Sequence, residues 1–94
     1  MNVSFHQYGN DFFPNSGHPD SKGCKEGLNY ALNVPLRPGI KDATYHRLFK
    51  PVMKRVMELY NPNAIVMQCG ADSMAYDLLG GFNLSTKGHG ELVK

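Results

Sequence analysis

The sequence contains no tryptophan and only two cysteines, Cys24 and Cys69, which lie far apart and in no C-x-x-C pair. That excludes a structural zinc finger and argues against a disulfide framework, so the simplest compartment is a reducing one, cytosol or nucleus. Charge is also sparse. Ten basic and eight acidic residues leave +2, too weak and too scattered for a nucleic-acid or polybasic membrane surface. No stretch has the roughly 18 apolar residues that a membrane span needs. Met1-Asn2-Val3-Ser4-Phe5 has neither a basic n-region nor a long apolar h-region, so no signal peptide is read there. There is no internal repeat and no low-complexity tract. With 94 residues, the chain suits one small domain or a piece of a larger one. It can bury only roughly 60–65% of the surface that it exposes when unfolded, which leaves a thin stability margin.

What is present orders itself as α/β. Val3-Ser4-Phe5 reads as a short strand. From Tyr8 to Gly27 the chain is rich in Gly, Pro, Asn, Asp and Ser, which is loop chemistry; structureless loops of about twenty residues usually serve function. Asn29 to Val34 reads as a second strand closed by Pro35, and Pro38-Gly39 as a turn. From Asp42, taken as an N-cap, Tyr45, Leu48, Phe49, Val52, Met53, Val56, Met57 and Tyr60 recur at spacings of three and four, the mark of an amphipathic helix. Lys41, His46, Arg47, Lys54, Arg55 and Glu58 fall largely on its polar face. Pro51 removes one backbone bond inside it, and Asn61-Pro62-Asn63 ends it. Ala64-Ile65-Val66-Met67-Gln68 is a nearly unbroken apolar run, which predicts a strand buried on both faces of a parallel sheet. Ser85 or Thr86 is placed to cap a last helix. A parallel sheet needs cover on both faces, and one full helix plus a short one cannot cover three strands. The chain is therefore expected to be a fragment, or a subunit that borrows its missing layer, and to be poorly folded or aggregation-prone alone.

In open α/β sheets, ligands bind beyond the C-terminal ends of the strands. Gln68-Cys69-Gly70-Ala71-Asp72-Ser73 lies at such an end, and Ser4-Phe5-His6 with its following loop lies at another. Spacing leaves two roles open for Asp72: capping the turn Asp72-Ser73-Met74-Ala75, or acting as a metal ligand or general base. His6, His18, His46 and His89 are dispersed, and none is read as a metal ligand. Phe12 and Phe13 are equally readable as core aromatics, and Ser4 as an ordinary strand hydroxyl.

Four blocks, in order, carry a resemblance. Val3-Ser4-Phe5-His6-Gln7-Tyr8-Gly9 with Phe12-Phe13-Pro14 forms the first. Tyr30-Ala31-Leu32-Asn33-Val34-Pro35-Leu36 followed by Gly39-Ile40 and Asp42 forms the second. Leu48-Phe49, Pro51-Val52-Met53 and Val56-Met57-Glu58 form the third. Gln68 to Ser73 with Gly80, Phe82-Asn83-Leu84-Ser85 and Lys87-Gly88-His89 forms the fourth. Together they resemble the zinc-dependent histone deacetylases of class I over nearly the whole chain. Ala71 and the extra residue before Phe13 resemble plant members most.

That resemblance implies a partial three-layer fold of the arginase–deacetylase type over residues 1–94, with upstream and downstream catalytic segments missing. It implies hydrolysis of N6-acetyl-lysine by a bound zinc ion, which polarises the acetyl carbonyl and lowers the pKa of its water. By the same resemblance Asp72 is a zinc ligand. Phe13 lines the acetyl-lysine tunnel and Leu79 its rim, while Ser4, Phe5 and Tyr30 hold structural potassium. Acetylated histone tails and corepressor complexes are the implied partners, with the nucleus the implied location and the cytoplasm also compatible with the composition.

The departures are as informative. The other two zinc ligands of the family come from an Asp-x-His motif, and none occurs in these 94 residues. The tandem His pair and the Gly-rich motif with the carbonyl-binding Tyr are absent as well. Leu78 stands where the family has an Arg that helps bind an inositol phosphate, a contact that leucine cannot make. Gly81 replaces a Cys. Asn15-Ser16-Gly17 replaces Gly-Thr-Gly, a change expected to strain a backbone that needs positive φ. The readings carried forward are a deacetylase family member inactive as this chain alone, a non-catalytic homologue that acts by interaction or not at all, and a related polyamine deacetylase. The last is disfavoured by the His6 and His89 blocks.

Overall fold

The alternation of Val3 and Phe5 with Ser4 and His6 suits a strand, and the structure, a computed structural model that describes residues 1–94 throughout, forms β1 there (Asn2–Gln7). It pairs in parallel with β2 (Ala31–Leu36), in a register that runs from Asn2 opposite Ala31 to Gln7 opposite Leu36. The second strand was expected to stop at Pro35; it includes that residue. Proline can sit in β2 because a two-stranded sheet leaves one side of each strand without a ladder to donate to. Parallel strands need a long crossover. Here an irregular loop with a 3-10 turn at Lys25–Gly27 supplies it.

That loop bends through several left-handed residues, including Asn10, Asp11 and Asn15 at φ 51, 55 and 58. The strain expected from losing a glycine at position 15 is therefore small, since asparagine is among the non-glycine residues that enter this region most readily.

By its contacts the chain divides into two compact units, Met1–Pro38 and Gly39–Lys94. Leu36 is buried in the first, Tyr45 and Leu84 in the second.

The second unit is built on α1 (Asp42–Tyr60), which spans the periodic stretch and carries Pro51 inside it. Its N-cap is Lys41, not Asp42, and no side chain caps it. The Asp42 carboxylate accepts instead from Ser85, at the start of the last helix. Tyr45 is buried, and Phe49, Val52, Met53, Val56 and Met57 are half-buried, whereas Leu48 and Tyr60 are exposed. The helix closes on Asn61 in the left-handed region, whose N–H donates to the Met57 carbonyl at 3.0 Å, with Pro62 next. The last helix, α2 (Thr86–Glu91), is capped by Ser85, whose Oγ accepts from the Gly88 N–H at 3.0 Å. Tyr45 stacks on Phe49 and meets Phe82 edge-on, both at 6.1 Å between centroids. Burial pushes the Tyr45 phenol up to about 12, so it stays neutral in the core at ordinary pH.

The expected third strand is not formed. Residues 64–68 carry no regular secondary structure and the sheet has two strands. Ile65 is 61% and Val66 101% exposed. An apolar run predicts burial, but a strand exists only where a neighbour completes its ladder. The structure thus has a small two-stranded parallel sheet with helices in place of the expected three-stranded one. No helix is long and apolar enough to cross a membrane.

Candidate functional site

The segment that follows the apolar run folds into a 3-10 turn, Ala71–Ser73, with Gly70 before it. Asp72 is the middle residue of that turn and is exposed. No hydrogen bond ties down its carboxylate, and one of its oxygens leans back over Gly70, 3.0 Å from where a Cβ there would stand. The capping role left open by spacing is not taken. The turn is instead held through its backbone and through Ser73. The Met74 N–H donates to the Ala71 carbonyl (3.1 Å), the Leu84 N–H to the Ser73 carbonyl (3.3 Å) and the Ala75 N–H to the Leu84 carbonyl (2.9 Å). Leu84, only 1% exposed, anchors this short parallel bridge to Met74.

Further contacts fix the turn. Gly80 lies so close to the Asp72 backbone that a Cβ there would overlap the Asp72 carbonyl oxygen. The Asp77 carboxylate accepts from the N–H groups of Leu79 and Gly80, at 2.9 and 2.7 Å, and so shapes the approach. Ser73 Oγ–H donates to the Gly70 carbonyl (3.4 Å), so His89 Nδ1–H donates to Ser73 Oγ (3.1 Å).

α2, which carries His89, is in turn tied to α1. The Ser85 N–H donates to Asp42 Oδ1 at 2.8 Å, and the Ser85 hydroxyl donates to Asp42 Oδ2. His46 Nε2–H donates to the Gly88 carbonyl at 2.8 Å. His46 was expected on the solvent face of α1; it is half-buried and points at α2. A buried helix carbonyl needs a donor, and an imidazole one turn from Asp42 supplies it. The path Asp42 and His46, then Ser85 and Gly88, then His89 and Ser73, runs from the long helix to the Asp72 turn. Sequence reading missed these links. Ser85 was legible as a cap and His89 stood in a recognised block, but no local pattern shows which groups pair across 16 to 43 residues.

Tyr76, just after the turn, has φ 70 and a fully exposed ring. A bulky residue in the left-handed region is strained, at a cost of about 1–3 kcal/mol, and this one recovers nothing by packing. Tyr76→Gly is expected to stabilise the turn by about 1 kcal/mol after the extra flexibility of glycine in the unfolded chain is subtracted. Amide exchange across 74–80 should slow by about fivefold. Faster exchange would show that the Tyr76 ring supports the segment.

In the first unit, Ser4 and His6 share one side of β1. His6 Nε2–H donates to the Gly17 carbonyl and His6 Nδ1 accepts from the Ser4 hydroxyl, both at 2.8 Å. His6 thereby pins the loop that carries Phe12, half-buried, and Phe13, 86% exposed. The Tyr30 carbonyl accepts from the Asn2 N–H at 2.8 Å, and Phe5 sits in the ladder opposite Val34. A Ser4 hydroxyl that donates to His6 keeps its oxygen lone pairs. Leu79 is 85% exposed in the second unit.

A catalytic zinc needs three convergent protein ligands of fixed geometry. No three His, Cys, Asp or Glu side chains come together in this chain. The residues present do not fit a zinc ion alone, and Asp72 offers one exposed carboxylate. Cys24 and Cys69 are free and exposed.

The model of the histone deacetylase domain matches residues 1–94. "Histone deacetylase 19" of Arabidopsis thaliana is 57% identical over 94 residues, which is all of this chain and 19% of that protein. "Histone deacetylase B" of Dictyostelium discoideum and "Histone deacetylase 9" of Arabidopsis thaliana are each 54% identical over the same 94 residues and 22% of their length. The chain thus spans about a fifth of the length of these curated relatives. A domain match from the first residue to the last, with relatives 54–57% identical over all 94 residues, leaves one conclusion: the chain belongs to the histone deacetylase family.

Proposed function

We propose that this chain is a segment, residues 1–94, of the catalytic domain of a zinc-dependent protein-lysine deacetylase with the three-layer arginase–deacetylase fold. In that reading Asp72 supplies one zinc ligand, Phe13 and Leu79 line the acetyl-lysine tunnel, and Ser4, Phe5 and Tyr30 contribute oxygens to a potassium site. The substrates are acetylated histone tails, the wider partners are corepressor complexes, and the location is the nucleus. The 94-residue chain alone does not hydrolyse acetyl-lysine. The observation that carries the reading is the state of Asp72: an exposed carboxylate without a hydrogen-bond partner, on a turn held from both sides by Gly80 and His89. Such a group is free to bind a cation and is held in a fixed place, which a ligand requires.

Zinc-supplemented turnover of an acetyl-lysine peptide by the 94-residue chain is expected to equal that of zinc alone and to ignore a hydroxamate inhibitor. Hydroxamate-sensitive turnover would overturn the inactivity. Asp72→Ala should change the zinc affinity of the isolated chain by no more than about twofold, because one carboxylate contributes little without partners. In a polypeptide of the relatives' length that carries this segment, Asp72→Asn should lose bound zinc. Full retention of zinc there would remove Asp72 from the ligand set.

The chain exposes 7213 Å², against about 5,400 Å² for a folded monomer of its mass, as a segment of a larger domain does.

A further inference from the structure

We infer that His6 is a positioning residue of the substrate tunnel, which through Gly17 fixes the loop that carries Phe13; the inference rests on the reading of Phe13 as a tunnel wall. His6 stands in the first of the four family blocks, yet nothing in the proposed chemistry uses it.

Both of its ring nitrogens are committed, to Gly17 and to Ser4, each at 2.8 Å. A carbonyl only accepts, so Nε2 carries the hydrogen, and in the neutral ring Nδ1 is then the acceptor for the Ser4 hydroxyl. A ring held at both nitrogens has one tautomer and one orientation. Ser4, on β1, thus sets the angle at which His6 meets the loop. Gly17 fits that meeting. Its φ is 84, and a Cβ on it would overlap the His6 ring, so position 17 calls for glycine twice, once for its backbone and once for the imidazole. Ser4, His6 and Gly17 all lie in the unit Met1–Pro38, so the anchor is complete within this chain.

Gly17 closes a loop that leaves β1 after Gln7. Two successive turns shape it: the Phe12 N–H donates to the Gly9 carbonyl at 3.1 Å, and the Asn15 N–H to the Phe12 carbonyl at 2.7 Å. Just beyond Gly17, His18 meets Tyr8 edge-on at 5.7 Å between centroids, which braces the same end. Phe13 lies between the two ends with its ring 86% exposed. Packing within the chain does not set its place; the turns and the His6 anchor do. A tunnel wall touches the lysine stem alike in the ground state and in the transition state, so misplacing it weakens binding without slowing chemistry.

The test uses a polypeptide of the relatives' length that carries this segment, with an acetyl-lysine peptide as substrate. His6→Leu should raise KM about tenfold, as one lost hydrogen bond would, and change kcat and bound zinc by less than about twofold. His6→Gln, which keeps an N–H where Nε2 stands, should stay near wild type. His6→Asn, whose amide reaches only as far as Nδ1, should behave like His6→Leu. Amide exchange at Phe12 and Asn15, read without substrate, should speed up in His6→Leu and keep the wild-type rate in His6→Gln. Phe13→Ala should raise KM by itself, and adding His6→Leu to it should change little more, because His6 acts through Phe13. An unmoved KM in His6→Leu, full additivity with Phe13→Ala, or a parallel fall of kcat and zinc content at constant KM overturns the inference. A wild-type polypeptide that does not turn over the peptide overturns the deacetylase reading itself, and the tunnel role of His6 with it.

Discussion

Gly80→Ala is expected to open the Asp72 turn, while Gly90→Ala tightens the neighbouring helix. A Cβ at Gly80 would overlap the carbonyl oxygen of Asp72, which is backbone and cannot swing aside like a side chain. Overpacking of that kind costs about 2–3 kcal/mol. Gly90 sits within α2 with nothing near its would-be Cβ, so alanine there contributes about 0.5–1 kcal/mol through helix propensity alone. The two substitutions are chemically the same and should act with opposite sign. Amide exchange of Ala75 and Leu84, whose N–H groups bridge the turn, should accelerate by about thirtyfold or more in Gly80→Ala. It should be unchanged or slower in Gly90→Ala. Equal behaviour of the two variants would mean that Gly80 does not hold Asp72 in place.

Asp42→Ala should release α2 from α1. The Asp42 carboxylate takes both the N–H and the hydroxyl of Ser85, the residue that caps α2. Removing it costs about 1–2 kcal/mol, toward the lower end because water reaches the pair. The same contacts give a pH dependence. The Ser85 hydroxyl, and next the Ser85 N–H, hold the Asp42 carboxyl below its ordinary value of 3.8. A carboxyl whose folded value is depressed stabilises fully above the unfolded value and loses that contribution as pH falls through the lower, folded one. The helical signal of α2 should therefore weaken below about pH 4, and this part of the acid transition should shrink in Asp42→Asn. Gly88→Ala should reproduce the loss, although alanine is the better helix former, because its Cβ would overlap the Asp42 carboxylate. Combining it with Asp42→Ala should add little further, since both break one link. Full additivity, or an acid transition that Asp42→Asn leaves intact, would place the anchor of α2 elsewhere.

The Asp42 result shows where sequence reading reached and where it stopped. Asp42 was recognisable as a residue at a helix start, and aspartate there is normally a cap for its own helix. The structure gives it to the other helix. Both choices satisfy the same local rule, that a carboxylate seeks free N–H groups at a helix N-terminus, and only the approach of Ser85 decides between them. His46 is a parallel case. Spacing put it on the polar stripe of α1, but a half-buried His46 bonded to the Gly88 carbonyl depends on a partner more than forty residues away.

Periodicity determined β1, α1 and the Ser85-capped α2, because hydrophobic spacing, caps and breakers act within a few residues and their energetics are local. The ordered blocks determined the family, since a chain of side-chain types in fixed order needs no geometry to be recognised. Whether Ala64–Gln68 forms a strand and which side chains hold the Asp72 turn were decided by the tertiary structure. A ladder needs a neighbouring strand, and a close glycine contact needs an opposing backbone. None of these partners is fixed by the residues adjacent in sequence.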